Sequence, residues 1–367
     1  MIDTGALRLK SEAFLVSNSI TDTKVSLRYP WMFGKQIDVG FFFLPVLLGF
    51  LLYFLTLAPQ EHAPIFWSFM VANALGAGPF HQGATWFAYL DAKNRNHFKS
   101  NTKKRAIFFL GPPVVLFLTI LGSIYAFQVT LAIWMIWSLQ HLVQQNVGIL
   151  LLYHNHGKGE AIVPRPIEAK TQQSAAIMFA LIFFYRVMLK YTLSAVMIPL
   201  IVVASIFCLI MIGQYLIQLN KQIKAGSYLN VPAFAFWALS TLSLWPLAFL
   251  GRSFEDGYLI PITVHWFQYI GLNYVLVRNK YKTEELGQLP IAKPVAMFVV
   301  LCLGVVAVNF SLSASQGIFT NGSIWKGVIV GTILGLGNVH YFLDAFLWRF
   351  REPYQRQAIL PYLIAGR

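Results

Sequence analysis

Residues 193–217 read LSAVMIPLIVVASIFCLIMIGQYLI, a run of 25 residues without a charged side chain. About 20 apolar residues in a helix are enough to cross a hydrocarbon core of roughly 30 Å. Because backbone polar groups in lipid must be hydrogen-bonded within their own segment, an unbroken apolar run of this length predicts a transmembrane helix. Similar runs recur along most of the chain. We therefore predict an all-α fold, a polytopic integral membrane helical bundle.

The composition of the whole chain excludes a soluble domain. Of the 367 residues, 57% are hydrophobic and only 11% are charged, whereas a soluble domain carries about 25% charged residues. The formal net charge is +14. In a membrane protein, an excess of Lys and Arg indicates basic cytoplasmic loops, so no nucleic-acid partner is expected.

Ten spans can be placed between the polar segments, which predicts about ten transmembrane helices. If these spans alternate in direction, 24 of the 28 Lys and Arg residues fall on one side, and the positive-inside rule makes that side cytoplasmic. We expect a multi-pass protein of a bacterial inner membrane with both termini cytoplasmic. The predicted organisation is a cytoplasmic N-terminal segment (1–37), a transmembrane helical bundle (38–349) and a cytoplasmic C-terminal tail (350–367). The predicted spans are 38–58, 64–90, 106–126, 129–153, 172–189, 193–217, 231–250, 258–277, 294–312 and 324–348.

Four histidines lie inside predicted spans that run in the same direction, namely His81, His141, His265 and His340. Each stands 9 to 13 residues from the first basic or polar residue toward the cytoplasm, a depth of roughly 14–20 Å at the rise of an α-helix. Polar groups in spans are costly and usually face functional cavities, and imidazole is the commonest metal ligand. We therefore predict a metal centre at this layer, although each histidine could instead be a hydrogen-bonded core residue. Neutral imidazoles suit Fe, Zn, Cu or Ni, and with open coordination positions they suit non-haem iron (Fe2+).

A second polar layer lies one helical turn further toward the cytoplasm, on the same helix faces. It comprises Thr85, Gln145, Gln268 and Asp344. Asp344 is the only acidic residue well inside a span, so we expect it to take part in catalysis, as an acceptor for an imidazole N–H or as a direct ligand. Thr85, Gln145 and Gln268 would support the histidines. Three aromatic residues near the layer are expected to line an apolar substrate tunnel, namely Trp86, Trp266 and Tyr341.

A second group of polar residues is predicted at the cytoplasmic membrane surface. It contains Asp91, His97, His154 and His156, beside a cluster of Lys and Arg. The basic cluster suits membrane lipid headgroups. A second metal site formed by these histidines is an alternative, but HNHG at 154–157 is not a specific metal-binding spacing, and solvated loop histidines are common.

Three classes of function fit the histidine layer. The first is an oxidoreductase whose iron activates dioxygen for attack on a lipophilic small molecule from the bilayer, with an external electron donor left open. The second is a haem protein for electron transfer, but two bis-histidine haems at one depth would crowd so small a bundle. The third is a proton- or metal-coupled transporter or a lipid-modifying transferase. A transporter would more often carry carboxylates at several depths.

Two short segments resemble a known family. They are FHQGATWFAYLD at 80–91 and VHYFLD at 339–344, and they are similar to segments of the bacterial Brp/Blh-type membrane β-carotene dioxygenases. This resemblance covers less than a tenth of the chain. It implies a membrane dioxygenase with a non-haem iron held by four intramembrane histidines, and it does not extend to carotene as the substrate. A dioxygenase would also need no reductase domain, since both oxygen atoms can enter the product.

Overall fold

Most of the part of the chain that the structure describes is helical. The structure is a computed structural model, and it describes residues 25–55, 57, 76–155, 159–281, 293–319 and 323–364. The helices are α1 (Lys35–Leu55), α2 (Gly78–Trp86), α3 (Ala92–Lys99), α4 (Thr102–Tyr125), α5 (Phe127–His154), α6 (Arg165–Phe183), α7 (Ser194–Lys224), α8 (Val231–Thr241), α9 (Trp245–Phe249), α10 (Phe254–Lys280), α11 (Pro294–Ser315), α12 (Ile324–Leu347), α13 (Pro353–Ala358) and α14 (Leu360–Ile364).

Six helical segments among the described residues are long and apolar enough to cross a membrane: α1, α4, α7, α8 joined to α9, α11 with the turn after it, and α12. The predicted all-α membrane fold is therefore confirmed, whereas the count of ten spans is not. Two further helices, α5 and α10, contain 28 and 27 residues. Helices of that length reach about 40 Å, but their composition is less apolar because they carry histidines, glutamines and asparagines. Part of the predicted span 64–90 lies outside the described residues.

The long apolar helices differ in how much of their surface is buried. Only 17% of the most apolar window of α7 is buried, compared with 56% for α12. Large apolar side chains on the outer helices are exposed, for example Leu47, Val203 and Leu209, at 66%, 66% and 68%. An apolar surface of this kind is the expected lipid-facing side of a membrane bundle. The histidine-bearing helices α2, α5, α10 and α12 lie inside it.

Small residues let the inner helices approach one another. A Cβ atom at Gly83 of α2 would lie 2.7 Å from the Cα of Cys302 on α11, and one at Gly78 would lie 2.9 Å from the indole ring of Trp266 on α10. Only glycine fits such contacts, which are common where membrane helices pack. Cys302 and Cys208 are buried, free thiols, and both pack in clusters of apolar residues.

Polar contacts organise the end of the bundle where α5 and α12 terminate. Two short parallel strands, β1 (Leu27–Arg28) and β2 (Leu229–Asn230), join the N-terminal segment to the start of α8. The side chain of Asn230 caps α8 by accepting a hydrogen bond from the Ala233 N–H. The predicted C-terminal tail contains α13 and α14, and Leu363 of α14 is buried in a core cluster. The chain after α12 therefore packs against the bundle.

Candidate metal centre

Four imidazole rings form a closed ring inside the bundle. The ring centroids of His81 and His340 are 4.5 Å apart, those of His340 and His141 4.9 Å, those of His141 and His265 5.0 Å, and those of His265 and His81 5.2 Å. All four residues are buried, with 1–8% of their surface exposed. The structure thus brings together the four histidines that the sequence places at one depth.

The predicted second polar layer, one helical turn beyond the histidines, also comes together in the structure. Thr85 contacts Asp344 and Tyr269, and Gln145 contacts Gln268. These residues follow the histidines by three or four positions on α2, α12, α10 and α5. Two successive layers in register require the four helices to run in the same direction, because antiparallel helices would diverge from a shared layer. The co-orientation predicted from the alternation of spans is therefore present.

The hydrogen bond of His81 determines which of its ring nitrogens is free. Nδ1 of His81 contacts the carbonyl oxygen of Gly78 on the preceding turn of α2. A carbonyl can only accept a hydrogen bond, so Nδ1 must carry the hydrogen. In a neutral imidazole the other nitrogen, Nε2, then has a free lone pair. That atom is buried and has no hydrogen-bond partner in the described part of the chain.

A second set of contacts determines which ring nitrogen of His340 is free. Its Nδ1 lies 2.6 Å from Oγ1 of Thr85, and the Thr85 hydroxyl donates to Oδ1 of Asp344 at 3.0 Å. Thr85 has one hydroxyl hydrogen, and the Asp344 carboxylate takes it. Nδ1 of His340 must therefore donate to Thr85, which leaves Nε2 as the free acceptor. Such hydrogen bonds orient metal-ligating imidazoles in known metal sites.

The ring contains more unpartnered buried atoms than a packed polar core would leave. Within the described residues, Nε2 of all four histidines, Nδ1 of His265 and Oδ2 of Asp344 have no hydrogen-bond partner. Buried polar atoms are normally satisfied, because each unsatisfied one costs about 1–3 kcal/mol. The free lone pairs in this group have no hydrogen-bond donor among the residues that the structure describes, and a metal cation would accept them. The chemistry of these atoms therefore fits a metal site.

The donor atoms are also close enough to reach one ion. One atom each from His81, His265 and His340 lie within 4.8 Å of one another, as do atoms of His141, His340 and Asp344. Metal–nitrogen bonds of about 2.0–2.1 Å place opposite ligands roughly 4 Å apart. Small side-chain movements would bring these atoms to that spacing. The two groups overlap at His340, so the five residues form two adjoining sets of possible metal ligands.

Asp344 presents one oxygen to the protein and the other to the ring. Oδ1 accepts hydrogen bonds from Thr85 and from the Tyr269 hydroxyl, the latter at 2.8 Å. Oδ2 lies 3.8 Å from Nε2 of His141, too far for a hydrogen bond. The carboxylate is thus fixed through one oxygen, while the other remains available to a cation.

Tyr269 belongs to the site, although the sequence analysis did not single it out. Its hydroxyl contacts Asp344 and Thr85 and accepts a hydrogen bond from the Trp348 indole at 3.2 Å. Its ring lies 5.1 Å from that of His340. Tyr269 follows His265 by four residues, so the helical spacing that selected Thr85 and Asp344 could also have selected it.

The two glutamines of the predicted second layer contact each other and the backbone. Nε2 of Gln145 donates to the carbonyl of His265 at 3.2 Å and lies 3.4 Å from Oε1 of Gln268. These bonds join α5 to α10 just below the imidazoles. Neither glutamine makes a hydrogen bond to an imidazole in the described part of the chain, so their support of the ring is indirect.

The three aromatic residues that we expected along a substrate tunnel occupy different places. The Tyr341 ring lies 4.8 Å from that of His141, and the Trp266 ring lies 6.0 Å from that of His81. Trp86 packs beside Tyr89, in the cluster between α2, α4 and α12. Two of them therefore border the histidine ring. None of the three lines the large cavity that opens beside the ring.

Of the juxtamembrane residues, the structure describes Asp91, His97 and His154, and these three do not form one site. Asp91 forms an ion pair with Lys280 at 2.7 Å. Burial raises the pKa of this carboxyl, but the charge of Lys280 and the hydrogen bonds from Lys280, Tyr281 and the Asn94 N–H together outweigh burial and lower it. The His97 ring stacks on Tyr354 at 3.5 Å; burial and the nearby Lys104 lower its pKa to about 4. His156 lies outside the described residues.

His154 is engaged elsewhere, at the end of α5. Its two ring nitrogens contact the carboxylates of Glu160 at 3.1 Å and Glu168 at 2.9 Å. Burial opposes a charge on this imidazole, but the two carboxylates outweigh burial and raise its pKa to about 9. Glu160 also accepts a hydrogen bond from Asn230 at 2.6 Å. His154 is therefore a cation that joins α5, α6 and the start of α8.

Compared with protein-family models, with curated proteins and with solved structures, the chain matches none of them. The resemblance of the segments around His81 and His340 to the Brp/Blh-type dioxygenases gains no support from these comparisons and stays a prediction.

Proposed function

We propose that this protein is a membrane-embedded metalloenzyme, a non-haem iron oxygenase that acts on a lipophilic substrate. The observation that carries this proposal is the set of four buried imidazoles whose Nε2 atoms have no protein partner among the described residues. Four neutral nitrogen donors with a nearby carboxylate suit iron better than Mg2+ or Ca2+, which prefer oxygen ligands.

Each residue has a distinct part in this proposal. His81, His141, His265 and His340 would hold the iron, and Asp344 would supply the negative charge that a divalent cation needs in a buried site. When bound, iron supplies the one-electron chemistry by which dioxygen reacts with an organic substrate. Thr85 and Tyr269 hold Asp344 and His340 in place. The apolar outer helices separate the ring from the surrounding lipid.

The ring geometry favours a bare metal ion over haem. Neighbouring imidazole centroids are only 4.5–5.2 Å apart around the whole ring, and a porphyrin is wider than the space that they enclose. A bis-histidine haem needs two histidines on opposite faces of a flat slot. A proton- or metal-coupled carrier would use the same residues for transport. Dioxygen consumption and labelled-oxygen incorporation distinguish it from an oxygenase.

The orientation in the membrane completes the proposal. The excess of basic residues on the side where α5 and α12 end supports cytoplasmic termini, and the location that we propose is a bacterial inner membrane. The oxidised substrate would be a small lipophilic molecule from the bilayer, and dioxygen would be the second substrate. Whether an external electron donor is needed depends on whether one or both oxygen atoms enter the product.

The test is metal analysis and an optical spectrum of the purified full-length protein. We expect stoichiometric iron without the Soret band of haem, and loss of iron in the variant that carries both His81→Ala and His265→Ala. The His97→Ala variant is the matched control, because His97 stacks on Tyr354 away from the ring and should leave the iron content unchanged.

Three results would contradict the proposal. A Soret band would indicate haem, and iron retention in the double variant would remove the ligand assignment. A protein that binds metal but neither consumes dioxygen nor incorporates labelled oxygen into lipid-extractable products would be a carrier or a metal store instead.

A further inference from the structure

A large cavity connects the histidine ring to the basic end of the bundle. Its volume is about 800 Å³, within the range of about 300–1,000 Å³ that is usual for small-molecule sites. On α5 it follows one helix face from His141 to Leu152, a distance of about 16 Å along the axis. On α12 it begins at Asp344 and passes Ala345 and Trp348. Space of this size and length fits an extended organic molecule.

The two ends of the cavity differ in chemistry. The inner end is formed by His141 and Asp344, which belong to the proposed metal centre. The outer end is lined by four arginines, namely Arg165, Arg349, Arg351 and Arg356. Between the ends, the wall combines glutamines with apolar side chains such as Val147, Leu151 and Leu272.

The four arginines are not neutralised by the described part of the protein. Among the described residues, none of them forms an ion pair with a carboxylate. Arg349 and Arg356 donate hydrogen bonds through Nε, to the carbonyls of Ala345 and Phe350, and the Arg349 guanidinium also lies over the Phe346 ring at 4.8 Å. Their terminal nitrogens therefore remain available, and planar guanidinium groups match carboxylate and phosphate oxygens with paired hydrogen bonds. Four such groups at one opening select for a negative charge.

We infer that the cavity binds an amphiphile with an acidic head group, a carboxylate or a phosphate. The head group lies at the arginines, and the apolar chain extends past Leu151 and Val147 toward His141. This inference rests on the proposed function, because it makes the amphiphile the substrate of the metal centre. The part of the chain farthest from the head group is the part that reaches the ring. A neutral hydrocarbon would offer the four cations no anionic partner.

Gly148 offers a way to block the cavity without disturbing the protein. It lies on α5 in the cavity wall, and a Cβ atom built there would meet no atom within 4 Å. A leucine at this position would project into the cavity and narrow it, and it suits a helix interior better than glycine does. Gly213 of α7 is the matched control, because a Cβ there also meets no atom within 4 Å and the residue does not line the cavity.

The test is ligand binding to the full-length protein in nanodiscs of neutral phosphatidylcholine. The probes are dodecanoic acid, dodecanol and, as a bilayer lipid, phosphatidic acid. Wild-type protein should bind dodecanoic acid or phosphatidic acid in preference to dodecanol, and the preferred acid shows whether the head group comes from a free amphiphile or from a lipid. The Gly148→Leu variant and the Arg349→Gln, Arg351→Gln double variant should each weaken acid binding by about tenfold or more. Gly213→Leu and the double variant Lys103→Gln, Arg105→Gln, two exposed basic residues outside the cavity, should not.

Iron content measured on the same samples separates this inference from the proposed function. Normal iron with equal binding of dodecanoic acid and dodecanol, or with acid binding unaffected by Gly148→Leu, overturns the inference alone. Absence of iron with acid binding that still depends on Gly148 and the arginines overturns the oxygenase and leaves an acidic-amphiphile site. Retention of iron in Gly148→Leu also shows that this variant is folded.

Discussion

Thr85 Oγ1 lies 2.6 Å from Nδ1 of His340, and its hydroxyl donates to Oδ1 of Asp344 at 3.0 Å. One hydroxyl group therefore determines the tautomer of an imidazole on α12 and the position of the carboxylate one turn away. With Nδ1 protonated, Nε2 of His340 turns its lone pair into the ring shared with His81 and His141. A side chain on α2 thus fixes the tautomer of an imidazole on another helix.

Removal of this hydroxyl should weaken the metal centre. Thr85→Val keeps the shape of the side chain but leaves Nδ1 of His340 without its acceptor. Loss of such a supporting hydrogen bond typically costs about 10–100-fold in metal affinity or activity, which competition with a chelator measures. Thr332→Val is the control, since Thr332 donates only within α12, to Val328. Equal affinities of the two variants would show that Thr85 does not support the ring.

Asp344→Asn should reduce iron affinity or turnover by about 10–100-fold. The amide preserves the shape of the side chain and removes the charge that balances the cation. Tyr269→Phe deletes one hydrogen bond to the same carboxylate and should have a smaller effect in the same direction. Iron content and labelled-oxygen incorporation are the measurements. An Asn variant with normal iron and normal turnover would exclude Asp344 from the centre.

The stability of the protein should depend on the charge of His154. The pKa of this imidazole is about 9 in the folded protein, above its ordinary 6.5. Its stabilising contribution is therefore fully present below about pH 6.5 and is lost as the pH rises through about 9. We expect the Tm of the wild type to fall between pH 6 and pH 10 by more than the Tm of His154→Gln.

His97→Gln is the control for that comparison. Its pKa is about 4 in the folded protein, below its ordinary 6.5, so above about pH 7.5 the imidazole is neutral in both the folded and the unfolded state, and its replacement should leave the pH profile of Tm in that range unchanged. Parallel Tm curves for wild type and His154→Gln would contradict the assigned charge.

Removal of only one partner of the Asp91–Lys280 pair should lower the free energy of unfolding. Both side chains are buried, at 0% and 4% exposure of the residues. Lys280→Met would leave the carboxylate of Asp91 without its cation, which typically costs about 3–5 kcal/mol. In the double variant, Asp91→Asn keeps the side-chain cap of α3 and removes the unpaired buried charge. The double variant should therefore recover part of the lost free energy of unfolding. Denaturant unfolding of both variants tests this coupling.

Membrane topology can be tested with reporter fusions. Fusions at Gln60, Asn155 and Gln316 should report the outside, the cytoplasm and the outside, because the basic residues concentrate on the side of Asn155. An outside signal at Asn155 would reverse the orientation, and the arginine-lined opening would then face away from the cytoplasm.

The sequence alone determined the membrane fold and the depth of the four histidines. Depth in a helix is a local quantity, since residue number times a constant rise gives it, and His81, His141, His265 and His340 can be aligned without knowledge of the packing. The same local spacing selected Thr85 and Asp344, which the structure places in contact. It also selected Gln145 and Gln268, which bond to each other.

Only the tertiary structure decided how the helices are rotated and which side chains share a space. Rotation about the helix axis depends on contacts between distant segments, such as Gly83 against Cys302, and no local spacing encodes it. For that reason the spacing can put Tyr269 in the layer of Thr85 and Asp344, but only the folded bundle pairs its hydroxyl with Asp344 and turns Trp86 away from the ring. Arg165 and Arg349 are separated by more than 180 residues in sequence, yet they line one opening, because α5, α6 and α12 bring their ends to the same place.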